Sequence, residues 1–417
     1  MSSLVIPLAP HWTEPAAGSQ GNSKNPHPAH QNETECAACV LSFVRDRAAF
    51  DALETEWNDL FDRSAPSHQL FQSFNWLWHW CNHYLDADTE LSILTGRVNG
   101  RLVMVWPMVK VRKAGLTELA WMGDPISQYG DALMDDVSGA EDILRQAWKH
   151  LAAYSGADVV KLRKVRKDAR VTFLLEELRG DITERLVAPY LDLGSAPNFA
   201  EYEKRYSSGS RRNRKRLFRR LDEQGKITFE EIEGGSRVRD LITTAITLKR
   251  GWLKSRGLLS KAFADDRISR FFSDAAEGSV RPCGCRLAVL SSAGRPAAIE
   301  VALRCKERTA LHIIVYDLEF EKSGAGVLLL ERSLRNAGDS GVKCYDLLAP
   351  GDSYKLDWAD ASVEVLDWAL PLTIKGKIFS KVYLGFLRER LKAGHAALPA
   401  GIKRLLSGRF SRAVAAM

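Results

Sequence analysis

The chain has 417 residues, enough for two domains of ordinary size, and a composition of 45% hydrophobic and 27% charged residues excludes a disordered chain. No apolar run approaches the ~20 residues that cross a bilayer, so the chain reads as a soluble one. The net charge is +7, and one cluster equals that whole excess: Arg211, Arg212, Arg214, Lys215, Arg216, Arg219 and Arg220 are seven basic residues in ten positions.

Residues 1–38 are rich in Pro, Gly, Ser, Asn and His and read as a disordered tail. They hold no basic segment followed by an apolar core, so no secretory signal is expected and the protein is placed in the cytoplasm. The seven cysteines are an odd number and read as free thiols. Cys36-Ala-Ala-Cys39 lacks a matching second pair, and Cys283-Gly-Cys285 is too closely spaced for an ordinary zinc pair, so no metal site is expected.

A first folded region is expected over residues 39–188. Leu41–Val44 suits a strand, and Phe50, Leu53, Trp57, Leu60 and Phe61 recur at helical spacing. Phe71, Phe74, Trp76, Leu77, Trp78 and Trp80 form an aromatic cluster in a second helix, read as core. Asn99-Gly100 between two apolar runs predicts a hairpin. A polar-aromatic loop, Trp121–Asp131, leads to a helix over 143–154 and a strand over 159–162.

The second region, residues 189–392, begins with Tyr190–Gly194. Ser210 is read as the cap of the basic helix, whose Leu217, Phe218 and Leu221 share one face. Most of its arginines lie opposite, with Arg214 at the apolar edge. A strand over 227–232, helices over 237–256 and 267–277, and a strand pair over 285–291 and 297–305 follow. Beyond Pro371 a basic amphipathic helix is expected, with Ile374, Ile378, Phe379, Val382, Phe386 and Leu387 between Lys375, Lys377, Lys381, Arg388 and Arg390. It suits either its own domain or an anionic membrane surface. Residues 393–417 read as a loose basic tail.

Within this region, Ala310–Val315 alternates as a strand, Ser323-Gly324-Ala325-Gly326 makes a turn, a helix starts at Val327, and Val342–Leu348 is a second strand. Together they form a βαβ unit. Glycines ahead of a helix start let backbone N–H groups face a phosphate at the positive end of the helix dipole, but such a turn also serves as plain punctuation.

The run Tyr316-Asp317, Lys322–Leu330, Tyr345–Leu348, Gly351-Asp352, Tyr354-Lys355 and Trp358 resembles the GNAT acyltransferase domain of the CelD-like (BioF-like) family, and more distantly the FemAB peptidyltransferases. The resemblance implies an α/β (α+β) fold of two tandem GNAT-like domains, mixed sheets flanked by helices, with residues 39–188 a degenerate first copy. It implies that Lys322, Gly324, Ala325, Gly326, Val327 and Leu328 hold the pyrophosphate of acyl-CoA (acetyl-CoA). The family's usual turn is Gln/Arg-x-x-Gly-x-Gly/Ala; this chain has Glu321 at the Gln/Arg position.

Acyl transfer to an amine needs a proton acceptor, an oxyanion stabiliser and a protonated leaving group. On the family's motif, Asp346 is expected to orient the acceptor amine, Tyr354 to protonate the leaving thiolate and Lys355 to meet negative charge. Glu300, flanked by apolar residues in its strand, is a further base candidate with a raised pKa. The function expected is an N-acyltransferase using acyl-CoA, with a small-molecule or envelope-precursor amine as acceptor in exopolysaccharide, cellulose or cell-envelope synthesis. The alternatives are a FemX-like aminoacyl-tRNA-dependent transferase, whose RNA phosphates would meet the basic helix, and a non-catalytic scaffold of an envelope assembly system. A polyanion is expected at Arg211–Arg220, and no DNA.

Overall fold

The computed structural model describes residues 39–387 apart from 114, 259 and 279–282. The expected tails at 1–38 and 393–417, with Cys36, Arg388 and Arg390, lie outside the described residues.

The first half runs β1 (Val40–Val44), α1 (Arg47–Asp51), α2 (Glu54–Ser64), α3 (Phe74–Tyr84), β2 (Thr89–Leu91), β3 (Ile93–Val98), β4 (Arg101–Trp106), β5 (Met108–Lys113), β6 (Leu116–Trp121), β7 (Leu133–Met134), α4 (Ala140–Tyr154), β8 (Val159–Arg166), α5 (Thr172–Glu177) and the long β9 (Asp181–Asp192). The second half runs α6 (Phe199–Tyr202), α7 (Ser208–Asp222), β10 (Ile227–Ile232), α8 (Arg237–Ser255), α9 (Lys261–Ala264), α10 (Arg267–Glu277), β11 (Cys283–Ser292), β12 (Arg295–Cys305), β13 (Arg308–Tyr316), α11 (Ala325–Asp339), β14 (Cys344–Asp346), α12 (Ser353–Trp358), β15 (Ala361–Pro371) and α13 (Ile374–Ile378), which continues through Leu387 as a wider π-type turn.

A small sheet has the order β1-β3-β4-β7. A long mixed sheet has the order β10-β11-β12-β13-β14-β9-β15-β8-β6-β5-β2. Each half contributes one parallel pair bridged by a helix: β6 and β8 across α4, and β13 and β14 across α11. The strand that follows each unit then crosses to the other. β9, which follows β8, pairs with β14, and β15, which follows β14, pairs with β8. β9 and β15 pair with each other, so the halves share one sheet by exchanging strands. The boundary expected at 188/189 falls inside β9, and the sheet continues across it.

Strand alternation sorts the core of the second half. Ile299, Val301 and Leu303 of β12 face Ile242 of α8 with Phe271 and Phe272 of α10. Ala298 faces the other way, with Leu328 and Leu329 of α11 and Leu221 of α7. The Asn99-Gly100 hairpin forms as expected, with both residues at positive φ (51° and 81°). Two local expectations are corrected. Ser207, not Ser210, caps α7: its side chain accepts from the Ser210 amide, which places Ser208 and Gly209 inside the helix. α11 starts at Ala325 rather than Val327, because Gly324 takes the left-handed conformation (φ +68°) and serves as the N-cap.

Candidate active site

β13 and β14 are in parallel register over Arg308↔Cys344, Thr309↔Tyr345 and Ala310↔Asp346. Beyond these pairs the strands part. β13 runs on to Tyr316, while the chain after Asp346 turns away through Leu348, at φ +58°. The parting opens a crevice at the carboxyl ends of the pair, the usual place for a ligand in an α/β sheet. Its β13 wall carries a bulge: Val301 pairs with Ile313 and Ala302 with Leu311, leaving His312 without a ladder partner.

The start of α11 borders this opening. The helix has 15 residues, no acid in its first turn and no side-chain cap at Gly324, so its dipole end is left for a ligand or solvent. A Cβ on Gly324 would come within 2.7 Å of the Leu217 side chain of α7, and one on Gly326 within 3.0 Å of the Tyr316 ring. The turn is therefore packed from behind by α7 and β13. Ala325 and Leu328 are buried, while Lys322 and Val327 are exposed. Glu321 accepts from the Tyr316 hydroxyl at 3.0 Å and from Arg256, just past α8, at 3.1 Å. The acid at the family's Gln/Arg position is thus neutralised by a guanidinium from another element, which the sequence reading missed.

Past β14 the chain folds back through Pro350-Gly351 into α12. The Lys355 ammonium reaches back to donate to the Leu348 carbonyl at 3.0 Å. Burial brings its pKa down to about 8, with Asp352 opposing the shift and Lys249 adding to it. Tyr354 is 42% exposed, yet its hydroxyl end lies in dense surroundings, and with Asp352 beside it the pKa is pushed up. It remains a proton donor at any ordinary pH.

The loop between β6 and β7, contributed by the first half, reaches β13. The Ile126 carbonyl accepts from His312 Nε2 at 2.8 Å, which fixes the proton on that nitrogen and leaves buried Nδ1 without a partner. Burial holds His312 down to about 4. The next residue along, Ser127, offers its carbonyl to Lys164 Nζ at 3.4 Å, and Gln128 Oε1 accepts from the same ammonium at 2.6 Å. Lys164 comes down to about 8, through burial first and then the neighbouring Arg163. Lys249 of α8 is lowered too, through burial. Lys164, Lys249 and His312 are all half-buried, and each lies within electrostatic reach of Lys355. Their convergence could not be read from a sequence that places them in three separate elements.

Two expected residues hold other positions. Asp346 is fully buried, and its oxygens are taken up: Oδ1 accepts from the Tyr129 hydroxyl and the Leu348 amide, both at 2.9 Å, and Oδ2 from Arg308 at 2.8 Å with Arg166 at 3.6 Å. It has no oxygen free to orient an acceptor amine. It ties β14 to β13, β8 and the Tyr129 loop. Glu300 is 3% exposed and lies under α11, where Oε1 accepts from the Tyr345 hydroxyl at 2.5 Å. Burial raises its pKa, in the direction expected, but the structure does not bring it to the crevice with Tyr354 and Lys355.

Residues 208–356, from the start of α7 into α12, match the family described as acetyltransferase (GNAT) domain. This segment is similar to GNAT-type acetyltransferase domains. No curated protein matches the chain in sequence. Among solved structures, FemX aligns with 79% of this chain and 98% of its own at 11% identity and a TM-score of 0.56. A conserved protein of unknown function from Bacteroides thetaiotaomicron aligns with 79% of this chain and all of its own, at 11% identity and a TM-score of 0.50. A tandem GNAT protein from the clavulanic acid biosynthesis pathway covers 80% and 99%, at 14% identity and a TM-score of 0.45. At such identities the likeness is one of fold, and the fold is the GNAT fold: mixed sheets flanked by helices.

Proposed function

We propose that the protein is an N-acyltransferase that moves an acyl group from acyl-CoA to an amine. The observation that carries this reading is the parting of β13 and β14 beside the uncapped start of α11, within the segment that matches the GNAT family. Acyl-CoA supplies the thioester carbonyl and the thiolate leaving group. The first amides of α11, at Ala325, Gly326 and Val327, would hold its pyrophosphate, with Lys322 adding positive charge and Arg256 cancelling that of Glu321. Lys355, close to half neutral at pH ~8, takes the proton of the attacking amine. Tyr354, kept protonated, gives its proton to the thiolate. Asp346 acts only as a positioning residue, and Glu300 supports α11 from below. The resemblance to CelD-like chains supports an amino sugar or envelope precursor as acceptor.

Isothermal titration with acetyl-CoA and longer acyl-CoAs tests the donor, and release of free CoA over a panel of amino sugars and amino acids tests the transfer. Binding, with a rate that climbs through pH ~8 and loses that limb in Lys355→Met, supports the reading. Absence of binding at every chain length overturns it.

A second reading, an aminoacyl-tRNA donor, is favoured by the exposed face of α7. Arg212, Lys215, Arg216, Arg219 and Arg220 are exposed, and none pairs with a carboxylate among the described residues. Such a face suits RNA phosphates. Binding of charged tRNA in place of acyl-CoA would select it.

A further inference from the structure

Among its described side chains, the segment that follows β15 packs on the end of the sheet through one face. Its rotation is fixed. A Cβ on Gly376 would sit 1.9 Å from the Asp158 carbonyl oxygen, so the backbone is pressed against that loop. Thr373 caps α13 and donates to Asp158 Oδ1 at 2.7 Å, and Ser380 donates to Asp181 Oδ2 at 2.9 Å. Gly376, Ser380 and Leu384 are buried on this inner face. These bonds draw the neighbouring carboxylates, Asp158 and Asp181, to the packed side.

The outward face is apolar along its ridge. Ile374, Ile378 and Val382, spaced four apart, are 78%, 60% and 56% exposed. Spaced about one turn apart they form one stripe, with Lys377 and Lys381 along one side and Lys375 along the other, all three exposed. A solvated helix normally turns its apolar stripe inward and its charges out. Here a second apolar stripe, bracketed by cations, points away from the protein.

We propose that this face docks on an anionic lipid bilayer. The stripe enters the interface while the lysine stems reach the headgroups. Charge selects this occupant over two others. Residues 388–417 carry seven basic residues against the single acid Glu389, so they would be repelled by the lysines and drawn to the same surface. A second copy would present the same cations. No helix among the described residues is long and apolar enough to cross a membrane, so the contact is peripheral.

Co-sedimentation of the full chain with vesicles of phosphatidylcholine alone, and of phosphatidylcholine with phosphatidylglycerol, tests this. Binding is expected to the anionic vesicles and to fall with added salt. Replacing Lys375, Lys377 and Lys381 with Gln is expected to weaken it about 10²-fold. Ile378→Asp with Val382→Asp should weaken it at least ~tenfold at an unchanged melting temperature, because both side chains are exposed. Equal binding to neutral vesicles, no binding to either, or full binding by the Asp variant overturns the proposal. A concentration-dependent dimer in light scattering, abolished by Ile378→Asp, would also overturn it by making the stripe a self-association face.

Discussion

Tyr354 and Lys355 are neighbours in the chain, yet their surroundings shift their pKa values in opposite directions, both toward the neutral form. Burial disfavours whichever form carries charge, so the phenol keeps its proton and the amine loses its own more easily. Tyr354→Phe removes only the hydroxyl from a half-exposed ring. It is expected to cut turnover at least ~tenfold while acyl-CoA affinity and melting temperature stay put, measured by CoA release and titration. Asp346→Asn should behave in the reverse way. It unbalances a buried carboxylate shared by Arg308, Arg166 and Tyr129, so urea unfolding should show a loss of about 3 kcal/mol or more. A stable Asp346→Asn protein with a raised acceptor KM would restore that residue to substrate binding. Acid should also destabilise the fold. His312 and His68 are held neutral, at about 4 and about 3, by burial, with Arg166 adding to the effect at His68. Below pH ~6.5 the unfolded chain takes up protons that the folded one refuses, so stability falls as pH drops toward 4. Asp131, raised to about 6 by burial, opposes this in part, because it gains its proton earlier in the fold. His312→Gln should flatten the decline of the urea midpoint between pH ~6.5 and 4; a slope equal to the parent's would count against the assignment.

α7 shows how one helix divides its charges. Arg214 is 4% exposed, pairs with Glu331 of α11 at 2.8 Å and stacks on Tyr206 and Trp358, so it belongs to the packing. Arg211 donates to the Glu203 and Lys204 carbonyls and belongs to the preceding turn. The basic run is therefore not one patch. Arg212, Lys215, Arg216 and Arg219 can be replaced by Gln without breaking an ion pair. That variant should melt as the parent does and lose salt-dependent binding to an RNA or another polyanion, read by filter binding across a salt series. A large fall in melting temperature with binding unchanged would make the face structural.

At the scale of the whole molecule, the strand exchange joins the halves. β15 lies between β9 and β8, and β9 between β14 and β15, so neither half completes its own sheet. The crevice also draws on both: α12, β13 and α11 from one half, and the Ile126–Tyr129 loop and Lys164 from the other. Calorimetry should therefore record one unfolding transition. Fragments cut at 188/189 should fail to fold separately, because each would expose an unpaired interior strand edge. Two resolved transitions, or a soluble and cooperatively melting fragment 39–188, would show the halves to be independent.

The sequence by itself determined the elements and the family motif. Period-two alternation in β13, the Asn99-Gly100 turn, the glycines before α11 and the Tyr354-Lys355 pair are local signals, because backbone geometry and periodicity act over a few residues. It also showed that the segment after Pro371 is basic and amphipathic, though not which of its apolar residues face outward. Tertiary structure alone decided which charges are spent. Asp346, Arg214 and Glu321 look free in the sequence, yet each pairs with a charged residue 38 or more positions away: Arg308, Glu331 and Arg256 respectively. Lys164, Lys249 and His312 look unremarkable and gather around Lys355. Long-range pairing in the sheet sets those neighbours, and burial then sets their protonation, and neither leaves a trace in local spacing.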